Sequence, residues 1–221
     1  HSLSNTFANF FRDKVVTVKD KISNYVNSTT SDPLFADSVH SGKQFHTLKP
    51  CTVDEVVKLI NATPAKSSAM DTIPTSLLKT CSDIFAPIIT NLVNLSFTEG
   101  VFPTSYKVAS VTPLLKKKGL DKDNPVNFRP ISNLHSISKI MERLFLTRII
   151  DHVENSSNYS RFQSAYRKGF STETALLRML NDVYSAADQK QTTLLVLLDL
   201  SAAFDCIDIP TLLRRLEHTF G

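Results

Sequence analysis

Apolar residues recur along this chain at two different spacings, and the switch between them lays out its elements. Over residues 1–26, Phe7, Phe10, Phe11, Val15, Val18 and Ile22 fall near helical spacing, which predicts an amphipathic helix. Residues 27–50 are rich in Ser, Thr and Asp and contain Pro33 and Gly42, so they read as a loop or linker. Thr52-Val53-Asp54-Glu55 has the form of a capping box, and the helix it opens carries Val53, Val56, Val57 and Ile60 on one face. After a loop with Pro64 and Pro74, residues Ser76–Cys81 and Pro87–Glu99 are predicted helical, the second stopping at Gly100. Val108–Leu115 has strand composition, with the charged stretch 116–127 as its turn. Ile137, Ile140, Met141, Leu144, Ile149, Ile150 and Val153 mark a long helix. Another runs from about Thr172 to Ala187, with Leu176, Met179, Leu180 and Val183 facing inward. The run Leu194-Leu195-Val196-Leu197-Leu198 has no polar alternation, which predicts a strand buried on both faces. Pro210 and a helical start at 211–217 follow it.

That apolar run ends in Asp199, ahead of Leu200-Ser201-Ala202-Ala203-Phe204-Asp205. A lone carboxylate at the end of a buried strand is costly unless paired, and a divalent metal is the natural partner. An aspartate after an apolar strand also serves as a turn former or helix N-cap, and this stretch alone leaves both readings open.

Composition narrows the classes. At 221 residues and 42% hydrophobic content, the chain can bury a core in one or two domains. No apolar run approaches the roughly 20 residues that span a bilayer. The chain opens on His1, with no signal-peptide pattern. Cys51, Cys81 and Cys206 are odd in number and far apart, which argues against a disulfide scaffold or zinc site and for a reducing compartment. The net charge of +4 is unevenly spread: residues 101–170 hold 12 Lys and Arg against 5 Asp and Glu, a net of +7 that leaves −3 elsewhere. A basic middle fits a polyanion-facing surface. Solvated helix faces would account for Arg143 and Arg148, but less well for Lys116-Lys117-Lys118 or Arg167-Lys168.

Four segments then occur in order. They are Pro113-Leu114-Leu115-Lys116-Lys117, Asn127-Phe128-Arg129-Pro130-Ile131-Ser132-Asn133-Leu134, the stretch from Phe162 through Gln163, Arg167, Gly169 and Ser171 to Ala175, and Leu198-Asp199-Leu200-Ser201-Ala202-Ala203-Phe204-Asp205. This ordered set resembles the reverse transcriptases of non-LTR (LINE-type) retrotransposons, over roughly residues 52–220 and most closely from Val111 onward. The resemblance implies an α+β, helix-rich architecture: right-hand polymerase fingers plus an incomplete palm, with an N-terminal helical extension. The implied division is 1–50 N-terminal helix and linker, 51–107 a helical region before the fingers, 108–192 fingers, and 193–221 the first palm strand and its following helix. The implied activity is RNA-directed DNA synthesis on a DNA primer, using dNTPs and Mg2+ or Mn2+. Asp199 matches the carboxylate that holds both metals, and the Leu200 main-chain carbonyl would face one of them. Phe204 matches an aromatic gate against the 2′-hydroxyl, although a plain core aromatic is the alternative. Lys116 and Arg129 match residues that grip the nucleotide phosphates, and Lys117 could replace Lys116. For Arg129 a structural salt bridge is the rival reading. Gln163, Arg167 and Lys168 lie in a segment that follows template and nucleotide.

Departures limit what this chain would do alone. The family commonly has Gly-Phe where Ala165-Tyr166 stand, and Ala165 would be strained if that position needs positive φ. Ile209 replaces a frequent histidine. A Gly-x-Asp-Gly turn survives only as Asp71, read as a turn or cap; Asp205 and Asp208 read as N-capping positions, with a second metal ligand as the rival reading. No Asp-Asp pair occurs, so the second catalytic motif is missing and Asp199 alone cannot assemble a two-metal site. The apolar run also lies within thirty residues of Gly221, leaving a sheet without partners. A chain cut at both ends is therefore expected. It would be inactive by itself and of intracellular (nuclear and cytoplasmic) origin. The alternative is a non-enzymatic nucleic-acid-binding module retained from such an element.

Overall fold

A computed structural model describes residues 2–26, 44–66, 68–200 and 203–221 of the chain. The linker expected over 27–50 lies largely outside these residues. The described chain contains α1 (Ser2–Val26), α2 (Val53–Ala62), α3 (Thr75–Thr80), α4 (Ser82–Glu99), β1 (Ser110–Leu115), β2 (Phe128–Asn133), α5 (Ser136–Glu154), α6 (Thr172–Asp188) and α7 (Ile209–Phe220). The result is helix-rich with one small two-stranded sheet. Described residues up to Val153 form one compact unit and those from Glu154 to Gly221 a second.

Among the described residues, all fully buried apolar side chains belong to the first unit. Val56 and Ile60 of α2, Leu78 of α3, Ala86, Ile89 and Val93 of α4, and Ile140, Met141 and Leu144 of α5 make one core. The i, i+4 spacing of Val56–Ile60 and Ile140–Leu144 puts each pair on one helix face, which is why these residues meet. The capping box at the start of α2 forms as read. Glu55 N donates to Thr52 Oγ1 at 3.3 Å and Thr52 N to Glu55 Oε2 at 2.8 Å. Helix α4 begins at Ser82, five residues before Pro87, so this proline lies inside the helix rather than opening it. Gly100 ends α4 in the left-handed region at φ 66, where a side chain would be strained.

The longest-range tie is made by Asp71. Its carboxylate accepts from Ser136 N at 2.6 Å and Ser136 Oγ at 2.8 Å, capping α5 from 65 positions upstream, and from Ser68 N at 2.7 Å. The Ser136 hydroxyl proton is committed to Asp71, so the buried Thr75 hydroxyl at 3.1 Å must be the donor to Ser136. Asp71 is therefore a cap, as its sequence context suggested. Arg148 departs from expectation. Its side chain is only 8% exposed, pairs with Glu55 at 2.8 Å, and donates to the carbonyls of Lys49 and Pro50 at 3.0 and 3.1 Å. This helix arginine is a buried strut between α5 and the entry to α2, not a solvated position.

In the second unit, Ser171 caps α6 by accepting from Thr174 N at 3.3 Å, and Asp208 caps α7 by accepting from Thr211 N at 3.0 Å. Two expectations fail here. Leu176 and Leu180 are exposed rather than inward, and only Met179 and Val183 are half-buried. The buried strand does not form: residues 191–200 have no ladder partner and are exposed throughout, Leu198 to 90%. A strand's N–H and C=O groups need a neighbouring strand, and the two strands among the described residues pair with each other. With no sheet beneath them, the leucines have nothing to be buried against.

Candidate nucleotide and nucleic-acid site

The basic residues expected to face phosphate are arranged by the β1–β2 hairpin in the first unit. The strands pair antiparallel, Leu114 opposite Arg129 and Leu115 opposite Phe128, and the ladder continues as Lys116 N donates to Asn127 O at 2.9 Å. Pro130 holds Arg129 extended, as expected of a residue before proline. The Arg129 side chain is exposed, and no ion pair among the described residues involves it, so the salt-bridge reading finds no support there. Lys116 is also exposed, but its ammonium donates to the Val126 carbonyl at 2.7 Å, across its own turn. That bond uses one of its three N–H donors and ties the ammonium to the turn, leaving two donors for an anion. Lys117 and Lys118 are exposed beside it. Phe7 of α1 packs edge-on against Phe128 at 4.9 Å, anchoring the hairpin from behind.

The other expected site residues belong to the second unit. Gln163 Nε2 donates to the Ala165 carbonyl at 3.0 Å, closing a tight local turn. Arg167 stacks over Phe170 at 4.5 Å and Tyr159 at 5.3 Å, and Lys168 is exposed. Gly169, at φ 82, completes the turn where Phe170 N bonds Arg167 O at 3.2 Å. The backbone strain expected at Ala165 falls one residue later, on Tyr166 at φ 61. Sequence reading also missed Arg161 and Arg178, whose guanidiniums both lie over the Phe162 ring, at 4.8 and 4.4 Å from its centroid. The adjacency of Arg161 and Phe162 was the available signal; Arg178 joins them only through the fold. Asp199, Leu200 and Phe204 are exposed. Exposure removes the argument that Asp199 needs a cation because it is buried, although the carboxylate itself stands.

A hard divalent cation takes about six oxygen ligands. Asp199 and the Leu200 carbonyl offer oxygens of the right kind, but no group of three or more His, Cys, Asp or Glu gathers among the described residues. These residues by themselves do not make a Mg2+ or Mn2+ site. The carboxylates with shifted titration lie elsewhere. Burial acts to raise the Asp71 carboxyl, but its bonds from Ser136 and Ser68, with His135 nearby, outweigh that and hold it below the usual range. The Arg148 guanidinium, then the Thr52 N–H, hold Glu55 low as well. A cavity of about 320 Å³ beside the Asp71 cap, lined also by Tyr106 and His135, contains none of the expected site residues. Among the described residues no helix is long and apolar enough to cross a membrane.

Residues 115–220 match the family described as reverse transcriptase (RNA-dependent DNA polymerase). The matched stretch contains Lys116, Arg129, the Gln163–Lys168 turn, Asp199 and Phe204. Over this stretch the chain matches the reverse transcriptase family, in line with what its ordered segments implied. Among its relatives is the probable RNA-directed DNA polymerase from transposon BS of Drosophila melanogaster, 28% identical across 78% of this chain and 19% of the relative. The probable RNA-directed DNA polymerase from transposon X-element of the same species is 31% identical across 71% of this chain and 17% of the relative. The RNA-directed DNA polymerase from mobile element jockey of Drosophila funebris is 30% identical across 75% and 18%. The chain thus spans about a fifth of the length of the curated relatives it matches.

Proposed function

We propose that this chain forms the fingers (108–192) and the start of the palm (193–221) of a non-LTR retrotransposon RNA-directed DNA polymerase. Residues 1–50 and 51–107 are its N-terminal extension and the helical region before the fingers. The observation that carries this reading is the family match across 115–220, which takes in every residue assigned to the site. The fold adds a physical reason. The hairpin displays Arg129, which makes no ion pair among the described residues, and three exposed lysines at its turn, and a nucleotide triphosphate needs that density of positive charge. Arg129 would clasp phosphate oxygens with its forked donors, and the lysines would add point charges. Gln163, Arg167 and Lys168 would follow the template, in a segment whose ring-stacked arginine suits bases as well as phosphates. The chemistry requires divalent magnesium or manganese. This chain would give it Asp199 and the Leu200 carbonyl, while the other ligands come from the rest of the polymerase. RNA template, DNA primer and dNTP are the partners.

The test is to read the encoding DNA on both sides of this chain, express the whole frame, and assay dNTP-dependent extension of a DNA primer on RNA. An in-frame aromatic-x-Asp-Asp motif together with extension supports the reading. Salt-sensitive RNA binding with no extension replaces it with a non-catalytic nucleic-acid-binding module. In the same assay, Phe204→Val should lower the preference for dNTPs over rNTPs by about tenfold or more, because a wall against one hydroxyl has been removed. Unaltered sugar preference would strip Phe204 of its gate role.

A further inference from the structure

Tyr166 stands in a turn, at a backbone conformation that glycine or asparagine would adopt more easily. Its φ of 61 lies in the left-handed region, which bulky side chains rarely occupy. The other non-glycine residue there, Lys190, follows the C-terminal end of α6, where left-handed backbone is routine. On either side of Tyr166 the chain is pinned. Gln163 holds the Ala165 carbonyl, and the Arg167–Phe170 turn, with Arg167 stacked between two rings, follows directly. The strain is not offset by burial, since Tyr166 is 86% exposed. What the conformation provides is a contact: the Tyr166 ring meets the Phe204 ring edge-to-face, with centroids 6.2 Å apart and planes at 83°.

We propose that Tyr166 is a positioning residue for Phe204, its ring bracing the aromatic wall so that sugar selection depends on the pair. This rests on the reading of Phe204 as the sugar gate. Phe204 is itself 74% exposed and sits in a turn, so little of its ring is held by packing. An exposed ring changes rotamer readily, and a wall that swings aside excludes nothing. A second ring at its edge, delivered by a strained backbone held at both ends, limits that motion. Strained conformations persist where the surrounding structure over-determines them and function uses them. The Tyr166 hydroxyl plays no part in this contact, so the ring alone should suffice.

Two measurements test the proposal. In the 221-residue chain, Tyr166→Ala should shift the aromatic NMR resonances of Phe204, which lose the ring current of their neighbour; unchanged Phe204 resonances overturn the contact. In the full polymerase, Tyr166→Ala should reduce the dNTP-over-rNTP preference on the order of fivefold, with Tyr166→Phe close to wild type. Tyr166→Gly separates bracing from folding. It relieves the backbone strain, so the melting temperature should hold or rise while sugar preference still falls. Wild-type preference in Tyr166→Ala and Tyr166→Gly, in an enzyme whose Phe204→Val variant has lost it, overturns the bracing role alone. If Phe204→Val also keeps wild-type preference, the gate reading fails, and the NMR result still decides whether the two rings touch.

Discussion

Asp199→Ala in the full polymerase should reduce primer extension at least about a thousandfold while RNA binding changes by no more than about twofold. The asymmetry follows from what the carboxylate does. Binding of a nucleic-acid backbone is carried by many cations, here the lysines and arginines of residues 101–170, and one surface aspartate contributes little to it. The chemical step instead depends on hard oxygen ligands for divalent ions, where losing one carboxylate is not compensated by its neighbours. Asp205 and Asp208 offer no rescue: Asp208 caps α7 through Thr211 N, and Asp205 lies in the turn before it. Primer extension and filter binding, run on the same preparation, check both halves. Retained extension would remove Asp199 from the catalytic role, and a parallel loss of RNA binding would point to misfolding instead.

The second large effect is on stability. Asp71→Ala should cost about 2–3 kcal/mol, read as a lower midpoint in urea unfolding with an unchanged slope. The substitution removes a helix cap and leaves both the Ser136 N–H and its hydroxyl without their acceptor, in a spot where the Thr75 hydroxyl is fully buried. The charge adds a pH dependence of definite sign. The folded-state carboxyl titrates below its ordinary range, so its contribution is full above the unfolded value near 3.9. It is lost as pH falls through the lower folded value. Asp71→Asn keeps the shape but not the charge. The stability gap between wild type and Asp71→Asn should therefore be constant near neutrality and close below about pH 4. A gap that stays open in acid would mean that the ionised carboxylate is not what α5 depends on.

Local elements were readable because their causes are local. The capping box at Thr52 and Glu55, the glycine stop at Gly100, the strand expected at Val108–Leu115 and found at Ser110–Leu115, and the long helix through Leu144 each depend on residues a few positions apart. Long-range partners were not readable. The sequence marked Asp71 as a cap but gave no sign that it caps a helix 65 residues away. Arg148 looked solvated because its partners, Glu55 and the Lys49 and Pro50 carbonyls, are some 93–99 residues distant. The strand at 194–198 was misread for a related reason: apolar composition shows that a segment is suited to burial, but not that anything is present to bury it.

Sequence alone determined the class of this protein. Four short segments in a fixed order carry the residue types that phosphate and metal chemistry demand, and residue types are set before the chain folds. Tertiary structure alone decided which groups are committed and which remain available. Lys116 is engaged by Val126 while Arg129 makes no ion pair among the described residues, and Tyr166 accepts a strained backbone to reach Phe204. Those outcomes come from contacts that close only once the chain has folded, and their free energy depends on geometry that composition does not encode.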